Sequence, residues 1–153
     1  MKRWLAAALV LAVMTAWVAV AGGQKPEKMA PAAQRQAHGE YLVKQVAMCV
    51  QCHSPRNERG DLDEQRLFQG APIPVKSPWT RQEWAPQAPS LAGLPGGWNE
   101  DQLANFLMTG QDINGRGPRR PMPPFRMNRE DAQAVAAYLK SLRVIGGVTT
   151  RPS

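Results

Sequence analysis

The chain contains two cysteines, three positions apart, with a histidine directly after the second: Cys49-Val50-Gln51-Cys52-His53. Two thiols one helical turn apart can each add to a vinyl group of the same porphyrin. The adjacent imidazole then lies under the iron as an axial ligand. This is the attachment pattern of one covalently bound haem, and it accounts for all three residue types and for their order. Three other readings compete with it. A disulfide closing so small a loop stabilises little and leaves His53 unexplained. A thioredoxin-like redox pair requires a surrounding βαβ pattern, which the sequence lacks. A zinc site needs two more ligands, and only His38 and carboxylates remain to supply them.

The chain around this motif reads as helices joined by long loops. His38 to Met48 places Tyr41, Leu42 and Val46 at helical spacing, predicting a first helix that runs directly into the cysteine segment. Asn99-Glu100-Asp101-Gln102 is a capping box: the Asn99 side chain accepts from the Gln102 amide while Gln102 reaches back. The helix it starts has Leu103, Phe106 and Leu107 as its apolar stripe and Gly110 as its stop. Asn128 caps a last helix that extends through Arg143. Glu130 and Asp131 stand in its first turn and Lys140 and Arg143 at its end, all matched to the helix dipole. Val135, Tyr138, Leu139 and Leu142 form its buried face. Between Ser54 and Gly97 the sequence reads as Pro- and Trp-rich loop without strand alternation. Irregular chain of that length inside a small domain calls for an external organiser such as a metal or cofactor.

The remainder of the chain reads as address and tether. A basic start, Met1-Lys2-Arg3, precedes an uncharged apolar run from Trp4 to Ala21. Ala19-Val20-Ala21 offers the small-x-small pattern of a signal peptidase site, with cleavage expected before Gly22. Eighteen apolar residues also just reach the length of one membrane span, so residues 4–21 retained as an anchor is the alternative. Either way the following chain lies in the periplasm or on the outer face of the cytoplasmic membrane. Residues 22–36 read as a flexible tether, 37–146 as the single domain and 147–153 as a frayed tail. At 153 residues there is room for one core. The formal charge is +7, and +5 without Lys2 and Arg3. The basic residues are too scattered for a nucleic-acid stripe, so the excess points to an acidic protein partner.

Taken together, Cys49-Val50-Gln51-Cys52-His53, the downstream Arg120-Pro121-Met122-Pro123-Pro124-Phe125 and the last helix with Tyr138 resemble the class I (mitochondrial-type) monohaem cytochromes c of bacterial export compartments. The resemblance covers roughly residues 37 to 145. It implies an all-α cytochrome c fold, with three to five helices around one covalent haem c and long Pro/Gly-rich loops. It also implies a sixth iron ligand from a loop methionine in a Met-Pro-Pro context, here Met122. Of the seven methionines, Met1 and Met14 lie in the signal, Met29 in the tether, and Met48 abuts Cys49. Met108 and Met127 suit packing, whereas prolines at 121, 123 and 124 restrain the backbone around Met122. Pro89-Ser90-Leu91 is similar to the family's Pro-x-Leu segment, which implies that the Pro89 carbonyl orients the His53 ring.

Trp79, Trp84 and Trp98, or Arg119 and Arg120, are candidates to wall the haem edge or to pair with its propionates. Packing and solvated charge explain them equally well. The stretch Asp61 to Trp84, including Phe68 to Val75, departs from the smallest family members. It is similar to insertions in cytochrome subunits that serve membrane-bound dehydrogenases.

The function these features imply is one-electron transfer between respiratory or dehydrogenase partners, with His53 and Met122 as metal ligands and no substrate turnover. The alternative is a haem-based gas sensor or peroxidase-like enzyme with an open sixth position. That reading lacks a distal histidine, because His38 is the only spare one and it precedes the first expected helix. A purely structural disulfide module is the third reading.

Overall fold

A computed structural model describes residues 31–79 and 81–145; the apolar segment 4–21, most of the stretch 22–36 and the tail 147–153 lie outside the described residues. Four helices carry the fold: α1 (Ala32–Tyr41), α2 (Cys49–His53), α3 (Glu100–Thr109) and α4 (Arg129–Ser141). No helix among the described residues is long and apolar enough to cross a membrane.

Helix α1 begins at Ala32, six residues before His38 and inside the stretch read as a tether. Ala, Gln and Arg dominate its first turns and all favour helix, but they bury almost nothing, so no apolar period announces them. The helix does not run straight into the cysteines either. Leu42–Val46 forms a π-helical turn in which the Ala47 amide donates to the Leu42 carbonyl at 2.8 Å. Met48 then takes a left-handed conformation at φ 54°. The extra residue and the reversal break the helix and restart it as α2 at Cys49.

Helix α1 crosses α4 at close range, and the contact depends on Gly39. A Cβ at that position would lie 2.6 Å from the Ala134 carbonyl carbon and 2.8 Å from the Tyr138 Cβ. On the flank of this crossing His38 Nε2 lies 2.7 Å from Asp131 Oδ1. The expected capping box of α3 is present, with both reciprocal hydrogen bonds at 2.9 Å. Gly110 ends that helix at φ 70°. Asn128 caps α4 by accepting from the Asp131 amide at 2.8 Å. That helix stops at Ser141 rather than Arg143, and its last carbonyls find other donors: Gly93 N–H, from outside the helix, bonds Leu139 O at 2.9 Å, and the hydroxyl of Ser141, its last residue, bonds Tyr138 O at 2.7 Å.

The core fills the space between these helices with Leu42, Val43, Leu103, Leu107, Val135 and Leu139. Leu142, expected on the buried face of α4, is only half-buried. The stretch 54–97 is mostly loop, with one departure: Ala71–Pro72 (β1) pairs antiparallel with Gln87–Ala88 (β2), in the register Ala71 to Ala88 and Pro72 to Gln87. Two residues per strand are too few for an alternation to register in sequence. Phe68 and Ala71, both in the stretch set apart as an insertion, are core residues. Phe68 is fully buried and meets the Tyr138 ring edge-on at 6.1 Å. Of the rest of that stretch, the described residues in 61–67 and 72–84 are exposed or half-buried and none is buried.

Candidate functional site

Helix α2 carries the cysteines and the histidine. Cys49 is half-buried and Cys52 exposed, and no disulfide joins them. Burial pushes the Cys49 thiol up to about 11. A thiol so disposed is a poor thiolate, the opposite of what a thioredoxin-type pair requires. Among the described residues no three His, Cys, Asp or Glu side chains gather in a metal-holding cluster, so the zinc reading has no support in the arrangement of ligands.

His53 is 6% exposed, and its Nδ1 lies 2.8 Å from the Pro89 carbonyl oxygen. A carbonyl can only accept, so Nδ1–H donates and the neutral ring keeps its lone pair on Nε2. Burial holds the imidazole below its ordinary pKa, partly opposed by the Pro89 carbonyl. A buried, neutral imidazole, oriented through one nitrogen and without a partner on the other among the described residues, has the properties of an axial metal ligand. With two thiols on the same short helix, these residues fit a covalently attached haem.

The other sequence candidates separate clearly. Met108 and Met127 pack against the apolar core, and the Met127 amide donates to Leu107 O at 3.0 Å. Met122 is half-buried but is not among the side chains packed on that core. Its amide is tied back to Arg119 O at 3.2 Å. The His38 imidazole is engaged with Asp131 between α1 and α4. The Trp84 indole N–H donates to Val75 O at 3.0 Å, so it closes the outer loop on itself. Trp98 stacks edge-on against Phe106 at 5.2 Å, and Trp79 is exposed. Arg119 lies 3.6 Å from Glu83, and Arg120 is exposed.

Sequence reasoning missed two residues beside the site. Ser54 directly follows His53 and is 1% exposed, and its hydroxyl accepts from the Phe68 amide at 2.9 Å. Phe68 adopts φ 60°, which bulky residues avoid and no local pattern signals. The available signal was weak: a serine beside an expected ligand, and an aromatic residue two positions before a glycine.

Residues 36–143 match the family model described as cytochrome c. Among characterised proteins, a diheme cytochrome c-type protein of Cereibacter sphaeroides is 28% identical over 138 residues, which is 87% of this chain and 44% of that protein. The cytochrome c subunit of alcohol dehydrogenase (quinone) of Gluconacetobacter polyoxogenes is 32% identical over 76% of this chain and 27% of its own length. The fructose dehydrogenase cytochrome subunit of Gluconobacter japonicus is 28% identical over 68% of this chain and 21% of its own length. The chain therefore spans less than half the length of each of these relatives.

Proposed function

Because the chain belongs to the cytochrome c family over residues 36–143, we propose that it is an exported monohaem electron carrier, with His53 and Met122 as iron ligands, working with a dehydrogenase. The observation that carries this reading is the His53–Pro89 hydrogen bond at 2.8 Å on a helix that also bears both thiols. It presents a neutral imidazole nitrogen where the covalent attachment would seat the porphyrin. Two cysteines allow one such attachment and no more.

When bound, the haem supplies a ferric/ferrous couple, and thioether ligation favours the ferrous state. The chain's own residues hold and tune it: Cys49 and Cys52 fix its position, and Pro89 orients His53. The prolines flanking Met122 restrain the segment that offers the sixth ligand. No residue is assigned to substrate turnover. Residues 1–21 support export to the periplasm or the outer membrane face, either as a cleaved signal or as a retained anchor.

Charge supports an acidic redox partner. Segments 73–86 and 110–129 carry seven basic and two acidic side chains, and the rest of the chain after residue 21 balances to zero. The fold joins these segments: the Ala85 amide donates to Arg120 O at 2.7 Å, beside the Trp84–Arg120 bridge. The two basic segments therefore meet at the Trp84–Arg120 bridge, and the second of them contains the Met122 loop. Such a basic region steers association toward an acidic surface, an attraction that weakens with salt. The dehydrogenase subunits among the relatives support a dehydrogenase as the partner class.

The test is the visible spectrum of the protein matured with haem, oxidised and reduced, with and without carbon monoxide. A low-spin c-type spectrum with a sulfur-to-iron charge-transfer band and no response to carbon monoxide is expected. A high-spin spectrum that shifts with carbon monoxide would remove Met122 from the iron and favour the sensor or peroxidase reading. Absence of covalent haem would overturn the function altogether.

A further inference from the structure

Pro89 is asked to hold its carbonyl at a fixed point against His53, yet it has few means of its own to do so. It has no N–H, and its ring is exposed. Its position must come from its neighbours on both sides. On one side, Gln87–Ala88 pairs with Ala71–Pro72. On the other, the Leu91 amide, the Ala92 amide and the Ser90 hydroxyl all donate to a single acceptor, the Phe68 carbonyl, at 2.9, 3.1 and 3.2 Å. Both supports belong to one short segment, residues 68–72.

That segment is in turn fastened to the histidine's own backbone. The Gly70 amide donates to His53 O at 2.8 Å, and the Phe68 amide donates to the Ser54 hydroxyl at 2.9 Å. The hydrogen bonds close a ring running from His53 and Ser54 through residues 68–70 to 88–92 and back through Pro89 O to the His53 ring. Two features keep the ring stiff. Phe68 is anchored at positive φ by complete burial against Tyr138. Gly70, at φ 84°, lies so close to the 88–90 segment that a Cβ would approach Ser90 N at 2.9 Å and Ala88 O at 3.0 Å.

We propose that Ser54 is a positioning residue. Through the Phe68 backbone its hydroxyl sets where the Pro89 carbonyl stands, and so how strongly His53 Nδ1–H is held. The inference rests on His53 being the proximal ligand. A strongly held Nδ1–H makes the imidazole a better electron donor and favours ferric iron. Removing the Ser54 oxygen leaves the buried Phe68 amide unpaired and loosens the segment that carries Pro89.

The experiment compares the haem-loaded wild type with Ser54→Ala, Ser54→Thr, Ser90→Ala and Asn99→Ala. The readouts are the reduction potential and the solvent exchange of the His53 Nδ1 proton by NMR of the reduced protein. In Ser54→Ala the exchange accelerates on the order of tenfold, as expected for loss of one buried hydrogen bond, and the potential rises. Ser54→Thr, which keeps the oxygen, restores both. Ser90→Ala, which removes one of the three donors to Phe68 O, moves both in the same direction by less, and it serves as the test should Ser54→Ala fail to mature. Asn99→Ala destabilises the fold at the distant cap of α3 and leaves both readouts unchanged. Exchange and potential at wild-type values in Ser54→Ala, or equal shifts in Asn99→Ala, would overturn the positioning role while leaving the haem reading intact. A wild type without covalent haem would overturn both.

Discussion

Replacing Gly39 by alanine sets two well-defined effects against each other. In an isolated helix the exchange is favourable by about 1 kcal/mol, because glycine loses more backbone freedom on folding. In this fold the new methyl would meet backbone and Cβ atoms of α4, at 2.6 Å from the Ala134 carbonyl carbon and 2.8 Å from the Tyr138 Cβ. The Ala134 carbonyl oxygen would stand closer still, and carbon atoms in contact prefer about 3.5–4.0 Å, so α1 and α4 must separate by at least roughly 1 Å. None of the opposing atoms lies at the end of a flexible side chain, so no rotamer change gives relief. Overpacking then costs near the top of its usual range, about 3 kcal/mol. The net expectation is a loss of about 2 kcal/mol, or about 8 °C or more in melting temperature for a domain of this size. Urea unfolding of the haem-loaded protein, followed by far-UV circular dichroism, measures it. A midpoint equal to or above that of the wild type would refute the account, because propensity alone would then have decided the outcome.

Three further outcomes follow from the same geometry. On the proposed ligation by Met122, Met122→Ala opens the sixth position: the reduced protein binds carbon monoxide, and the potential falls as the thioether is lost, whereas Met108→Ala and Met127→Ala leave the visible spectrum closed. Phe68→Ala, at a fully buried side chain, lowers the unfolding free energy by about 3–5 kcal/mol, measured by denaturant titration; a loss below about 1 kcal/mol would show that Phe68 is not the anchor of its segment. The Arg116 and Asn114 amides, accepted at 2.9 and 2.8 Å, hold the Asp112 carboxyl below its ordinary value of 3.8. A depressed carboxylate stabilises the fold above its unfolded pKa and loses that contribution as pH falls through the folded one. The carboxylate's contribution to the 112–116 turn is therefore complete at neutral pH and falls away only in acid below 3.8; an NMR inflection for Asp112 at or above that value would contradict this.

Contiguous patterns were readable from the residues alone. Cys49, Cys52 and His53 are adjacent, so their chemistry needs only a helical turn to bring them together. The capping box at Asn99 and the cap at Asn128 are local too, since each side chain bonds an amide three residues on. The start of α1 was not legible, because its first residues favour helix but bury nothing, and a polar Ala/Gln/Arg stretch also suits a tether. The π-helical turn and the left-handed Met48 left no mark on the apolar spacing of 42–46. Pro89 was identified through family likeness rather than from its own residues, and the hydrogen bond to His53 is a contact across 36 positions.

The sequence by itself determined the attachment chemistry, the helix caps and the charge excess, because each depends on residues close together in the chain or on composition. Tertiary structure alone decided that Phe68 belongs to the core at positive φ, that Ser54 and Gly70 brace the chain behind His53, and that segments 73–86 and 110–129 meet at the Trp84–Arg120 bridge. These depend on hydrogen bonds and burial between residues more than ten positions apart. Such contacts exist only once the helices have packed, and no periodicity along the chain encodes them.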